Sequence, residues 1–324
     1  MGGAQSSSQQ AQAGQWSVSL AFAGAYSHAE HDVSPDQYEP DTLNPGGVQA
    51  QRHVLDFNLF IAQLSGTYGL TDWLTLGLEL PIRATTVSAD FLNTVGDDIP
   101  QFQSIHHRDE TLTGLADPTV NTQWYLPLDK LAPILSASVT LGLSLPVGRT
   151  EPDPFLLGKL GKRHQHIFYG TGTMDPLAAL RVQADLGAVS LQLTSRTRTS
   201  LYRNSEGYLG PFMVEAGLKG RSSLGLENWV FVLGPEMFHE TPASWSDRTA
   251  ENSGRTELLI AVGVAHRFAS GVSLMASAKT PVVTRSRGGQ LEIPFLGSLG
   301  VSYSPPAEPT ATPDSHAQTG GHAP

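Results

Sequence analysis

The chain contains no cysteine. That excludes a disulfide scaffold, thiolate zinc sites and thiol catalysis. Charge is also scarce: 15% of the 324 residues are charged, against about 25% in an average soluble domain. Basic residues number 20 against 30 acidic ones, for a net charge of −10. This leaves no basic face of the kind nucleic acid requires, so no nucleic-acid partner is expected. No apolar run approaches the roughly 18 residues of a membrane-spanning helix. Neither a phosphate-binding loop nor a dinucleotide fingerprint is present. A basic segment followed by an apolar one is missing from the start, so no signal peptide is visible. Ala11-Gln12-Ala13 resembles only the tail of a cleavage site.

What is present is alternation. Val139, Leu141, Leu143 and Leu145 share one parity, and Thr140, Gly142 and Ser144 share the other. Leu74, Leu76, Leu78 and Leu80 repeat the pattern against Thr75, Gly77 and Glu79, and Leu180, Val182 and Ala184 repeat it against Arg181, Gln183 and Asp185. A period of two is that of a strand with two unlike faces. About twelve such segments fit between Trp16 and Ser304, each near the 9–11 residues of a tilted membrane-crossing strand. Apolar parity changes near Gln63, which predicts a bulge there. Residues 1–15 and 305–324 are rich in small and polar residues or in Pro and His, and are expected to be disordered flanks of a barrel over 16–304.

Connections alternate between short turns and long loops. The long ones are Ser27–His53, Val87–Leu115 and Val147–Met174. An up-and-down antiparallel barrel with short turns on one rim and long loops on the other is the outer-membrane pattern, and an even strand count puts both termini on the periplasmic, short-turn side. Trp16, Tyr68, Trp73, Trp124, Tyr125, Trp229 and Tyr303 lie near strand ends, where an interfacial girdle would sit. A soluble sandwich or lipocalin-like barrel would reverse the inward and outward faces. Small and charged residues on one parity favour a wet lumen with the apolar face toward lipid. Pro81, Pro146 and Pro281 are expected to end ascending strands, and Asp117-Pro118 and Asp175-Pro176 to open descending ones as hairpin punctuation.

The run from Tyr68 through Trp73, Gly77 and Glu79 to Pro81, then Gly114-Leu-Ala-Asp-Pro118 and Leu141-Gly-Leu-Ser-Leu-Pro146, resembles a family of outer-membrane β-barrel proteins. That family is associated with meta-pathway phenol degradation and described as transporters. The resemblance implies a bacterial outer-membrane barrel that carries small molecules. It implies no catalytic residues. The long Pro/His tail after the last strand departs from the family pattern.

Two residue sets carry chemistry. His28, His31, His53, His106, His107, His164 and His166 all fall on the long-loop side, with Glu30, Asp32, Asp109, Glu110, Glu151 and Asp153 nearby. Imidazole with carboxylate suits zinc, copper or nickel, with copper or zinc the expected ion, and loops would have to converge to supply three or four ligands. The bland alternative is a set of solvated loop histidines. Inward parity places Glu79, Asp117, Asp175, Arg181, Asp185, Arg196, Arg198, Glu257 and Lys279 in the lumen, as cross-strand ion pairs or as a selectivity constriction. The loop around Lys159–Tyr169 is the candidate for folding inward.

The leading functional reading is a passive outer-membrane channel for a small solute, hydrophobic or a metal ion, with a His-rich mouth that captures a divalent transition metal. It requires no cofactor and has outer-membrane lipid as its surroundings. The alternatives are a structural or adhesive barrel, and an outer-membrane hydrolase in which Ser104 near His106 would be the nucleophile.

Overall fold

The chain is described by a computed structural model covering residues 12–33, 39, 43–44, 46–246, 248–250, 253–286 and 293–306. Its strands are β1 (Trp16–Asp32), β2 (Arg52–Thr71), β3 (Leu74–Leu92), β4 (Glu110–Leu115), β5 (Thr119–Leu126), β6 (Leu135–Ser144), β7 (Asp175–Asp185) and β8 (Ser190–Arg198). After the short β9 (Tyr208–Leu209) come β10 (Met213–Ser222), β11 (Trp229–Glu240), β12 (Ser244–Trp245), β13 (Arg248–Thr249), β14 (Arg255–Arg267), β15 (Val272–Ser286) and β16 (Phe295–Tyr303). One short helix, α1 (Pro154–Lys159), lies between β6 and β7.

All neighbouring strands of the main sheet pair antiparallel, and β1 closes it against β16 from Val18↔Tyr303 to Tyr26↔Phe295. β4 and β5 share one position beside β3, so the sheet closes as a barrel of 12 staves. The expected fold class holds. β9, β12 and β13 form a small separate sheet over the long-loop rim.

Alternation sets the two faces. On β1 and β16 the exposed residues Trp16, Val18, Phe22, Tyr26, Phe295, Leu299, Val301 and Tyr303 point outward. Ser17, Ala21, Ala25 and Ser27 share the opposite, inward parity. Trp16 and Tyr303 pack with ring centroids 5.6 Å apart on the short-turn rim, and Trp73 and Trp124 at 5.4 Å, both pairs tilted. Tyr26 pairs with Phe295 at the other limit of the belt. Ten residue steps from Trp16 to Tyr26, at about 3.3 Å each and tilted by ~40°, give an apolar belt about 25 Å tall. Tyr125 departs from the expected girdle. It sits opposite Ser138 on the inward parity, one residue out of phase with the outward Trp124.

Several sequence-based expectations are corrected. No bulge occurs at Gln63, which pairs in unbroken register with both Ala21 and Pro81. The apolar parity changes because Leu55 and Phe57 face the interior, buried with Val87 and packed against Ile167 of the β6–β7 loop. β1, β2 and β3 run past the belt, to Asp32, Arg52 and Leu92, where polar outward residues such as His28, Asp56 and Asp90 hide the pattern. Pro81 lies inside β3, opposite the break between β4 and β5, where its carbonyl accepts the Ala116 N–H at 2.9 Å. Pro281 lies inside β15 at a register shift. At both places the ladder is already interrupted, so the missing N–H costs nothing further. The predicted flanking disorder of 1–15 and 305–324 falls mostly outside the described residues. Ala13, Gly14 and Gln15 are nevertheless tied down, through Asp72 and Gly69.

Leu299 is 65% exposed at mid-belt, opposite Phe22. Leu299→Arg should lower unfolding stability in lipid vesicles by about 2–4 kcal/mol, the cost of arginine on the lipid face near the bilayer midplane. Denaturant titration followed by heat-modifiable gel mobility would read this. An unchanged midpoint would mean that this face is not in lipid.

Candidate functional site

The long-loop rim is closed over by the segment between β6 and β7. Two carboxylates draw this loop inward. Asp117 accepts the Gly148 N–H at 2.8 Å on one oxygen, and the Thr171 N–H at 2.8 Å and hydroxyl at 3.2 Å on the other. Asp175 accepts the Thr173 hydroxyl at 2.6 Å and shares the single Thr171 hydroxyl proton with Asp117, its oxygen 3.0 Å from that hydroxyl. Both carboxylates are buried. The backbone is drawn tight around them: a Cβ on Gly170 would stand 2.6 Å from the Asp117 carboxylate. The two Asp-Pro pairs are therefore more than hairpin punctuation. They start strands and anchor the loop.

Apolar residues complete the closure. Ile167 packs on Leu55, Phe57 and Val87 at one wall, and Tyr169 on Leu112 and Ala116, with the Tyr169 hydroxyl donating to the Leu112 carbonyl at 2.9 Å. Phe168 reaches the Tyr208–Trp245 cluster of the small sheet, at ring distances of 4.8 and 6.0 Å. That cluster stands over staves on the far side of the barrel from β2 and β3. Three consecutive side chains thus span the mouth, as the expectation of an inward-folding loop around Lys159–Tyr169 required.

Six of the seven singled-out histidines gather in this mouth as two triads. His31, His53 and His107 form one, with ring centroids 5.0, 5.2 and 5.7 Å apart. His106, His164 and His166 form the other, at 4.3, 5.2 and 6.0 Å. In each triad one nitrogen per ring lies within 4.8 Å of the others. Tetrahedral zinc with bonds of about 2.0–2.1 Å needs nitrogens about 3.4 Å apart, a distance small ring rotations can reach. His31 and His53 are direct register partners at the tops of β1 and β2. His106 and His107 are presented by a turn in which the Ser104 hydroxyl accepts both their N–H groups at 3.1 Å. The Glu39 carboxylate holds the preceding Ile105 N–H, and the Ile105 carbonyl accepts the His164 N–H at 3.1 Å.

Burial, reinforced by the neighbouring imidazoles, lowers the His106 pKa to about 4 and that of His107 to about 2. His166 is exposed as a residue, yet desolvation and the neighbouring His164 and His106 imidazoles lower its pKa to about 3. These rings are neutral at physiological pH, the form that ligates metal.

His28 is not part of either triad. It faces outward and pairs with Asp56 at 2.8 Å, beside Tyr26. The acidic neighbours are likewise committed elsewhere. Asp32 and Glu30 meet Arg52, Glu110 meets Arg108, Glu151 meets Arg149, and Asp109 and Asp153 cap backbone N–H groups. Among the described residues the donor sets are therefore imidazole alone.

No protein-family model and no curated protein matches the sequence, so the phenol-pathway resemblance rests on its motifs. Solved structures do match. An outer membrane channel from Pseudomonas putida F1 is 15% identical, covers 90% of this chain and 96% of its own, and superposes with a TM-score of 0.59. The transport unit of the autotransporter AIDA-I from Escherichia coli is 13% identical over 90% of each chain, with a TM-score of 0.47. At these identities the first likeness establishes the barrel fold, and the second is too distant to add to it.

Below the mouth the barrel interior is polar. Arg196 on β8 reaches Glu79 on β3 at 3.4 Å, a bond between non-adjacent staves that crosses the lumen. Arg198 lies 3.9 Å from Asp175, and Glu257 lies 3.7 Å from Arg255. Lys279 reaches Glu236 at 2.5 Å, and Lys219 pairs with the same carboxylate. Arg181 and Asp185 share the inward parity of β7. Sequence reasoning missed Glu236, Lys219 and Arg83. The signal for Glu236 was its parity with Phe238 and Glu240 on β11.

Asp117→Ala removes the acceptor of two backbone N–H groups, a loss of about 1–3 kcal/mol for each group left unpaired. Hydrogen exchange at Gly148 and Thr171 should accelerate by about 10- to 100-fold. Unchanged protection at both amides would show that the carboxylate does not hold the loop.

Proposed function

We propose that the protein is an outer-membrane channel for passive passage of a small solute, with a histidine-lined mouth that captures a divalent transition ion. The observation that carries this reading is the closed barrel with an apolar, aromatic-bounded outer belt and a charged interior. In water such a belt would be a large exposed apolar surface. In lipid it is the surface a transmembrane barrel needs. The fold shared with the P. putida outer membrane channel supports the same reading. Both termini of the barrel lie on the short-turn rim, which puts them in the periplasm if insertion follows the usual direction.

The lumen is narrow. The ion pair from Arg196 to Glu79 crosses it, and the β6–β7 loop covers its long-loop end. Passage therefore depends on displacement of that loop and on exchange of partners within the charged layer. The hydrolase alternative gains no support from Ser104, whose hydroxyl is buried and accepts the two histidine N–H groups.

Reconstituted in liposomes, the folded protein should admit small solutes slowly in a swelling assay, and Asp117→Ala/Thr171→Val should admit them several-fold faster by loosening the loop. No permeation by either protein would favour a structural or adhesive barrel instead.

A further inference from the structure

The two triads are connected in a way that single-site capture does not use. His31 and His53 belong to the barrel wall, His107 and His106 to the β3–β4 loop, and His164 and His166 to the β6–β7 loop. The adjacent pair His106-His107 gives one ring to each triad, with centroids 6.1 Å apart. Two metal ions would therefore form a continuous chain of cross-links from the wall, through the first loop, to the loop that closes the mouth.

Orphaned nitrogens point to the ligand. The His164 Nδ1 is 2.8 Å from the Lys162 carbonyl, so this nitrogen carries the proton and Nε2 holds the free lone pair. That Nε2 is buried without a hydrogen-bond partner, in a residue 5% exposed. A backbone carbonyl that orients an imidazole and leaves its other nitrogen free is the outer-shell arrangement of metal-ligating histidines. His53, 4% exposed, likewise has a buried Nδ1 without a partner. A buried nitrogen left unpaired costs about 1–3 kcal/mol, which a bound ion would offset. The main chain of α1 also makes room: a Cβ on Gly158 would stand 3.2 Å from the His164 ring and 3.3 Å from that of His106.

We propose that each triad binds one first-row transition ion, Zn²⁺ or Cu²⁺, and that the filled pair latches the β6–β7 loop across the mouth. Three imidazoles with no thiolate or carboxylate fit these two ions and leave a fourth position for water. The proposal deepens the reading of a metal-capturing mouth and rests on it, but its tests require no conduction. A protein that conducts without binding metal would lose the latch and the metal-capturing mouth but keep the channel. One that binds two ions without conducting would lose only the channel.

The test uses the full chain in detergent micelles. Calorimetric titration with ZnCl₂ or CuCl₂ should give two ions per chain. His53→Ala/His107→Ala should retain one, His164→Ala/His166→Ala should retain one, and His28→Ala should retain two. Exchange of the Ile167–Thr171 amides should slow at least tenfold with zinc in the parent and not in His164→Ala/His166→Ala. X-ray absorption on the zinc-loaded parent, which needs no variant to fold, should show imidazole nitrogens at about 2.0–2.1 Å. Fewer than two ions on the parent, loss of binding in His28→Ala, a ligand shell without imidazole, or loop exchange indifferent to zinc would each overturn the proposal.

Discussion

The sheet has to close. A strand facing lipid has no water to satisfy its N–H and C=O groups, so an open edge inside a bilayer is not tolerated. The β1–β16 seam meets that constraint with unbroken pairing over nine residues of each strand. Closure fixes parity all the way round, and parity decides what each side chain can do. Leu299 must face outward and Ser298 the lumen, because neither can turn over without shifting every neighbour in register. The exceptions are local. The ladder breaks at Asp117-Pro118 and shifts in register near Pro281. At the first break, side-chain oxygens take over the hydrogen bonding, and the long loop is tied there.

The mouth follows from this arrangement. Inside most of the barrel the surface is polar, but at the tops of β2 and β3 it turns apolar, with Leu55, Phe57 and Val87 facing inward. An apolar patch above a charged layer would be costly if wet. The β6–β7 loop covers it with Ile167 and is held where the buried Asp117 and Asp175 carboxylates accept from Thr171 and Thr173. Hydrophobic burial and charge-assisted hydrogen bonds thus act on the same segment from two sides. The histidine triads occupy the rim of this closure, at the junction of the elements that would have to separate for the mouth to open.

Much of this was legible in the sequence, because a period of two survives in the residues themselves. Val139 to Leu145 and Leu180 to Asp185 can be read as two-faced strands without coordinates, and so can the inward placement of Arg181, Arg196 and Lys279. The reading failed where a second environment overlaid the first. Leu55 and Phe57 broke the apolar parity and suggested a bulge at Gln63, when in fact the interior had become apolar under the loop. In sequence His28 groups with His31 as a candidate ligand on the long-loop side, but three residues along a strand put the two rings on opposite faces. The grouping of the other six histidines into triads could not be read at all. It depends on the β3–β4 loop bringing His107 to His31 and His53, and on the β6–β7 loop bringing His164 and His166 to His106, long-range encounters with no local signal. The carboxylates beside them in sequence turned out to serve arginines and backbone N–H groups instead.

The central claim is that one closed wall separates lipid from a polar interior. Site-directed spin labelling tests it directly, and the absence of native cysteine leaves each introduced thiol as the sole label site. Labels placed one at a time along β16, from Leu296 to Val301, in lipid vesicles should show collision with oxygen peaking at Leu299 and Val301. Collision with a water-soluble nickel chelate should peak, at lower amplitude, at Leu296, Ser298 and Gly300. The opposite phase would make this a soluble barrel with an apolar core and would contradict the account.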